Sequence, residues 1–198
     1  MSAPGEPRKV SGEGAKTHAL RRASGFFDRY LGGDCVLDIG YRGGVSDAVP
    51  ITESAIGIDL DFPGYDGLNL PFHDASQDSV FSSHCLEHIA DPVLGLREWY
   101  RVTKIGGFIV IIVPHQFLYE KKLNLPSNWS RDHLRFYTPA SLIFEVEVAL
   151  EPNSYRIRHF CDNDLWFDYT IGPERHSFGC YEIELVLQKI EAPNWKAM

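Results

Sequence analysis

The chain has 198 residues, a formal net charge of -8, and 44% hydrophobic and 13% aromatic content. This suits one domain with a single full core, and the acidic balance, with lysine and arginine no more clustered than in Arg21-Arg22 and Lys121-Lys122, excludes a phosphate backbone as main partner. The longest apolar run, near Phe108 to Val113, is far short of the ~20 residues a bilayer span needs, and the N-terminus shows no apolar signal core, so a cytosolic protein without membrane or nucleic-acid partner is expected.

In chain order, residues 1–16 hold glycine, proline, serine and charge without periodicity and predict a flexible tail, with one domain over 17–198. Leu20, Phe26, Phe27, Tyr30 and Leu31 recur near helical spacing and predict one helix from Thr17 to Leu31. CVLDIG, SAIGIDL, SVFSSHCL and GGFIVIIVPH are short apolar runs of the kind that form central parallel strands. Between the last two, Val93, Leu94, Leu96, Trp99, Tyr100 and Val102 suit a crossover helix, with Asp91 as N-cap, Pro92 at the first helical position and Gly106-Gly107 as the stop. A helix from about Pro139 to Leu150 follows. SYRIRHF and CYEIELVLQKI come last, with no helix between them, and should pair antiparallel. Strand and helix alternate, which predicts an α/β layer fold. Cys35, Cys85, Cys161 and Cys180 form no CxxC pair and predict reduced, mostly buried thiols.

VLDIGYRGG, Val36 to Gly44, stops a buried strand at a glycine turn. Such a turn at a strand's carboxyl end sets backbone N–H groups beside the sheet crevice and lets a ligand come close. Asp59 follows Gly40 at about the 20-residue interval at which a doubly wound fold offers a carboxylate to ribose hydroxyls. Together they predict a ligand containing a nucleoside.

The wider pattern resembles the class I S-adenosylmethionine-dependent methyltransferases, in particular the small-molecule group similar to methyltransferase type 11. VLDIGYRGG is similar to their first motif and AIGIDLD to their second. YDGLNLPFHDASQDSVFSSHCLEHIADP, VTKIGGFIVIIVPH and YEIELVLQKI resemble later ones. The resemblance implies a Rossmann-like, doubly wound, mostly parallel seven-stranded sheet with an antiparallel C-terminal strand, and S-adenosyl-L-methionine as cofactor. It further implies that Asp38 and Gly40 hold the methionine end, that Gly44 allows close helix packing, that Asp59 takes the ribose hydroxyls beside Leu60, and that Asp66 sits near the adenine. Arg42 departs from the family's middle glycine.

Chemistry at the transferred methyl needs alignment and, for a hydroxyl acceptor, a base, for which histidine suits neutral pH. His84 and His115 end two strands at the crevice, and His133 lies in PSNWSRDHLRFYTP. These three are the catalytic candidates, and 114–138 is expected to be a substrate lid. In HCLEH, His84, Glu87 and His88 at i, i+3 and i+4 could ligate a metal with His115 or His133. Some methyltransferases with an E-x-x-E-H element here bind a metal, but LEHI before a helix start is structural in others, and no metal is expected. The function expected is O-methylation of a small polar acceptor such as a sugar, by a monomer or homodimer. The alternatives are a nucleotide-binding module without catalysis and an NAD(P)-dependent oxidoreductase, which lacks its G-x-G-x-x-G.

Overall fold

The computed structural model describes residues 9–10 and 12–193. One mixed sheet of six strands runs in the order β2-β1-β3-β4-β6-β5. Its strands are β1 (Val36–Ile39), β2 (Ala55–Ile58), β3 (Gln77–Ser83), β4 (Thr103–Pro114), β5 (Tyr155–Asn163) and β6 (Glu182–Lys189). β1 to β4 are parallel, and β6 pairs antiparallel with both β4 and β5. Each segment with strand patterning in the sequence forms a strand. The seventh strand has no counterpart among the described residues: residues 59–76, which connect β2 to β3, carry turns and no strand or helix, so alternation of strand and helix fails there.

The strand pattern also explains the layers. Along β4, Ile109, Ile111 and Val113 face one side and join Leu37, Ile39, Val80, Leu185 and Leu187 in a core closed by Leu96, Trp99, Leu142 and Val146. These last four come from α4 (Pro92–Val102) and α5 (Pro139–Ala149). Val110 and Ile112 face the other side, against Phe27, Tyr30 and Leu31. A period of two on a strand buried on both faces thus sorts one apolar run into two cores.

The helix expected from Thr17 to Leu31 is two, α1 (Gly14–Ala23) and α2 (Phe26–Tyr30). Gly25 at φ 73° breaks them, its N–H bonding to the Arg22 carbonyl in a left-handed stop. Of the expected tail, residues 1–8 and 11 lie outside the described residues; Val10 is buried in the second core, and α1 begins at Gly14. The helix after the glycine turn, α3 (Gly43–Ser46), is a single turn. In α4 the Asp91 carboxylate caps the Leu94 N–H at 3.0 Å and Pro92 opens the helix. The helix ends at Val102 and not at Gly106-Gly107, because the Thr103 hydroxyl bonds the Trp99 carbonyl at 2.7 Å and the backbone turns extended. The two glycines instead form a bulge in β4, where a Cβ on Gly107 would meet the Asp78 carbonyl at 2.5 Å. All four cysteines are free; of them Cys180 alone is buried and Cys161 is exposed. Among the described residues no helix is long and apolar enough to cross a membrane.

Candidate active site

The carboxyl ends of β1, β2 and β3 open on two neighbouring cavities of about 760 and 180 Å³, both lined by Gly40, Arg42, His84 and His88. Gly40 holds φ 81° and bonds the Ile58 carbonyl through its N–H at 2.8 Å. A Cβ there would lie 2.7 Å from the Cys85 side chain, so glycine is required both by conformation and by space. Arg42 also adopts a left-handed backbone, φ 58°. This is the conformation glycine takes without cost, and a side chain there costs about 1–2 kcal/mol.

The Arg42 N–H donates to Asp59 Oδ2 at 3.1 Å, and the Leu60 N–H to Asp59 Oδ1 at 2.8 Å. Asp59 is thereby fixed on the wall of the larger cavity, which Gly44, Leu60 and Asp66 also line. Gly44 is not packed on a helix: a Cβ there would meet the Asp61 carboxylate. Asp38 borders only the smaller cavity, where its carboxylate accepts the Ile51 N–H at 2.7 Å. Asp66 accepts from the Asn69 side chain, the Asn69 N–H and the Leu68 N–H, which together hold its carboxyl below the usual range. Both of its oxygens are engaged in a turn. Cys85 lines the larger cavity, but burial, and then the Glu87 charge, push its thiol up to about 12, so it is an apolar wall and no thiolate.

His84 has φ 51°, and its Nε2 lies 3.3 Å from Glu182 Oε1. Burial acts to lower its pKa, but the Glu182 hydrogen bond and the charges of Glu87, Glu182 and Glu13 outweigh this and raise it. Glu182 in turn accepts from Arg21 at 2.9 Å and Asn163 at 3.0 Å. Arg21 also reaches Glu184 at 2.7 Å. His133 lines the smaller cavity with Tyr119 and Ser130, its Nδ1 2.5 Å from Glu120 Oε1.

His115 is not brought to either cavity. Its Nδ1 accepts the Phe117 N–H at 3.0 Å, capping the π-helical turn Gln116–Glu120, and burial lowers its pKa against the pull of Asp162. The expected lid, 114–138, contributes Tyr119, Ser130, Asp132 and His133 to the cavity walls. It is tied down at its far end, where the Arg135 guanidinium donates to the Leu86, Ile89 and Ala90 carbonyls at 2.8, 2.5 and 3.1 Å.

HCLEH is not helical as a whole. Leu86–His88 form a 3₁₀ turn after the left-handed His84, yet Glu87, His88 and His133 still converge, with ligand atoms within 4.8 Å of one another. Sequence reasoning passed over Glu120 and the pair Glu182 and Glu184. The pair had a signal: two acids at i and i+2 in an otherwise apolar strand face the same side and need a partner.

Residues 45–111 match a family model described as a methyltransferase domain. A demethylmenaquinone methyltransferase of Streptomyces griseus is 48% identical over 52 residues, 26% of this chain and 23% of that protein, so the match spans less than a quarter of that relative. Among solved structures, an S-adenosylmethionine-dependent methyltransferase from Archaeoglobus fulgidus is similar with a TM-score of 0.56 at 18% identity, over 87% of this chain and 93% of that one. The SpnF cyclase is similar with a TM-score of 0.57 at 15% identity, over 93% and 85%. The likeness of the two structures is one of fold, and it joins a transferase and a cyclase.

Proposed function

We propose that this chain, which belongs to the class I S-adenosylmethionine-dependent methyltransferases, moves a methyl group from that cofactor to an oxygen of a small polar acceptor such as a sugar or sugar-containing metabolite. The observation that carries the reading is the cavity of about 760 Å³ at the ends of the parallel strands, with Gly40 and Asp59 on its walls together with His84. Sites for cofactor-sized ligands span ~300–1,000 Å³.

The residues present fit the cofactor. Each Asp59 oxygen takes one backbone N–H and keeps lone pairs for a ribose diol. Leu60, Tyr65 and Leu68 line the cavity for an adenine, with Asp66 holding the turn that carries Leu68. Gly40 presents bare backbone to both cavities for the methionine end, with Cys85 filling the place of a side chain, and the Asp38 carboxylate is fixed by the Ile51 N–H. When bound, S-adenosylmethionine supplies a methyl made electrophilic by its sulfonium. The chain must then align the acceptor and take its proton. His84 lines both cavities, and its Nε2 is directed to Glu182, which leaves Nδ1 to receive the proton. His133, across the smaller cavity, borders the acceptor. Alignment carries most of the acceleration.

Asp59→Ala should leave the fold intact by circular dichroism and weaken S-adenosylhomocysteine binding by about 1–3 kcal/mol in calorimetry. Unchanged affinity removes Asp59 from the cofactor site, and preference for NAD transfers the case to hydride chemistry. Transfer of labelled methyl to a panel of sugars identifies the acceptor.

A further inference from the structure

Glu87 is fully buried, and neither of its carboxylate oxygens has a hydrogen-bond partner. A buried carboxylate left in that state costs several kcal/mol. Its Oε1 is instead surrounded by imidazole nitrogens: His88 Nε2 at 3.7 Å, His133 Nε2 at 3.8 Å and His84 Nδ1 at 3.9 Å. Those distances are too long for hydrogen bonds.

The far nitrogens of His88 and His133 each face an oxygen acceptor. His88 Nδ1 lies 3.2 Å from the Asp132 carbonyl oxygen, an atom that can only accept, so Nδ1 carries a proton, and in the neutral ring Nε2 presents a lone pair. His133 Nδ1 lies 2.5 Å from Glu120 Oε1, which in the carboxylate form accepts the Nδ1 proton and, in the neutral ring, turns the Nε2 lone pair toward Glu87. With both rings neutral, three acceptors converge on Glu87 Oε1, a space that is satisfied only by positive charge, as a proton on an imidazole or as an added cation. A carboxylate or carbonyl behind each imidazole is also the support that metal-bound histidines have. Bonds of about 2.0–2.2 Å would set ligand atoms roughly 3.0–3.6 Å apart, a small contraction from the spacing here.

We infer that Glu87 Oε1, His88 Nε2 and His133 Nε2 form a site for a divalent first-row transition ion such as Zn²⁺ or Mn²⁺. Two imidazoles and one carboxylate are a donor set for such ions. Three protein ligands leave positions open, and all three residues line the cavity of about 180 Å³ beside His84, where a polar oxygen of a ligand could complete the sphere. The expectation of no metal is thereby revised. The site stands independently of methyl transfer, since its test reads binding of the ion.

The full chain, freed of any affinity tag and stripped with a chelator, is titrated with Zn²⁺ and with Mn²⁺ by calorimetry, and bound metal is counted by mass spectrometry. One equivalent should bind, raising the melting temperature. His133→Ala and His88→Gln should each weaken binding by about 100-fold or more. His88, whose side chain is 30% exposed, serves as the variant that keeps its fold, checked by circular dichroism. Three results overturn the assignment: no saturable binding of either ion to the wild type, equal binding by wild type and folded His88→Gln, or loss of the ion in Cys161→Ser, which would place it at His159, Cys161 and Glu184.

Discussion

On the β1–β2 side of the cleft, groups are set by backbone geometry: Gly40 and Arg42 are left-handed, and Asp59 is tied by two main-chain N–H groups, one from the turn after β1 and one from its own neighbour after β2. On the β3–β6 side, side chains from remote parts of the chain hold one another. Arg21 bridges Glu182 and Glu184, Glu182 faces His84, and Glu120 faces His133, all of them largely buried. The contrast suits two tasks. Main-chain turns give a fixed cradle with its lone pairs open to a ligand, and a buried charge network keeps imidazoles in chosen orientations where water is scarce.

The contrast is tested most severely at Arg21. Arg21→Met keeps the apolar stem but leaves Glu182 and Glu184 buried without their shared cation, and urea unfolding should register a loss of about 3–5 kcal/mol. A loss under ~1 kcal/mol would show that Asn163 and His84 suffice, and that the two sides differ less than argued. On the backbone side, Gly40→Ala adds a Cβ at φ 81° against Cys85 and should cost about 1–3 kcal/mol, with loss of S-adenosylhomocysteine binding in calorimetry. Retained binding would mean that the turn is softer than its geometry implies.

The smallest effect belongs to a surface pair outside both. The hydrogen bond from Lys104, with those from the Cys35 and Asp34 N–H groups, holds the Asp78 carboxyl below its ordinary value and outweighs the opposing desolvation. Its folded-state value lies under its unfolded value of ~3.9, so its contribution is complete above that pH and is lost as pH falls toward the folded value. Asp78→Asn should cost about 1 kcal/mol at neutral pH and flatten the acid limb of a stability–pH curve at that point. An unchanged acid limb would assign the loss to other carboxylates.

The same division decides what could be read from the residues. The glycine turn, Asp59 as its partner acid, the Asp91 cap with Pro92, and the α5 start are local and were legible in short stretches of sequence. The two-layer order followed from apolar runs bounded by glycine. The break at Gly25 was hidden because the apolar spacing continues across it, and the end of α4 because one hydroxyl, Thr103, decides it. His115 has the same strand-end placement as His84, but its lone pair goes to the Phe117 N–H. The convergence of Glu87, His88 and His133 needs a chain reversal over 114–138 that no local pattern encodes.

The Arg135 clamp has a consequence for motion. One guanidinium donates to the carbonyls of Leu86, Ile89 and Ala90, and the Leu134 N–H bonds the Glu87 carbonyl at 3.0 Å. The turn after β3 and the stretch 133–137 are thereby joined by four hydrogen bonds, so separating the two requires those bonds to break together. Ligand traffic is then left to the opposite rim, around Leu60 and Gly67, where a mostly exposed edge can move without disturbing those bonds.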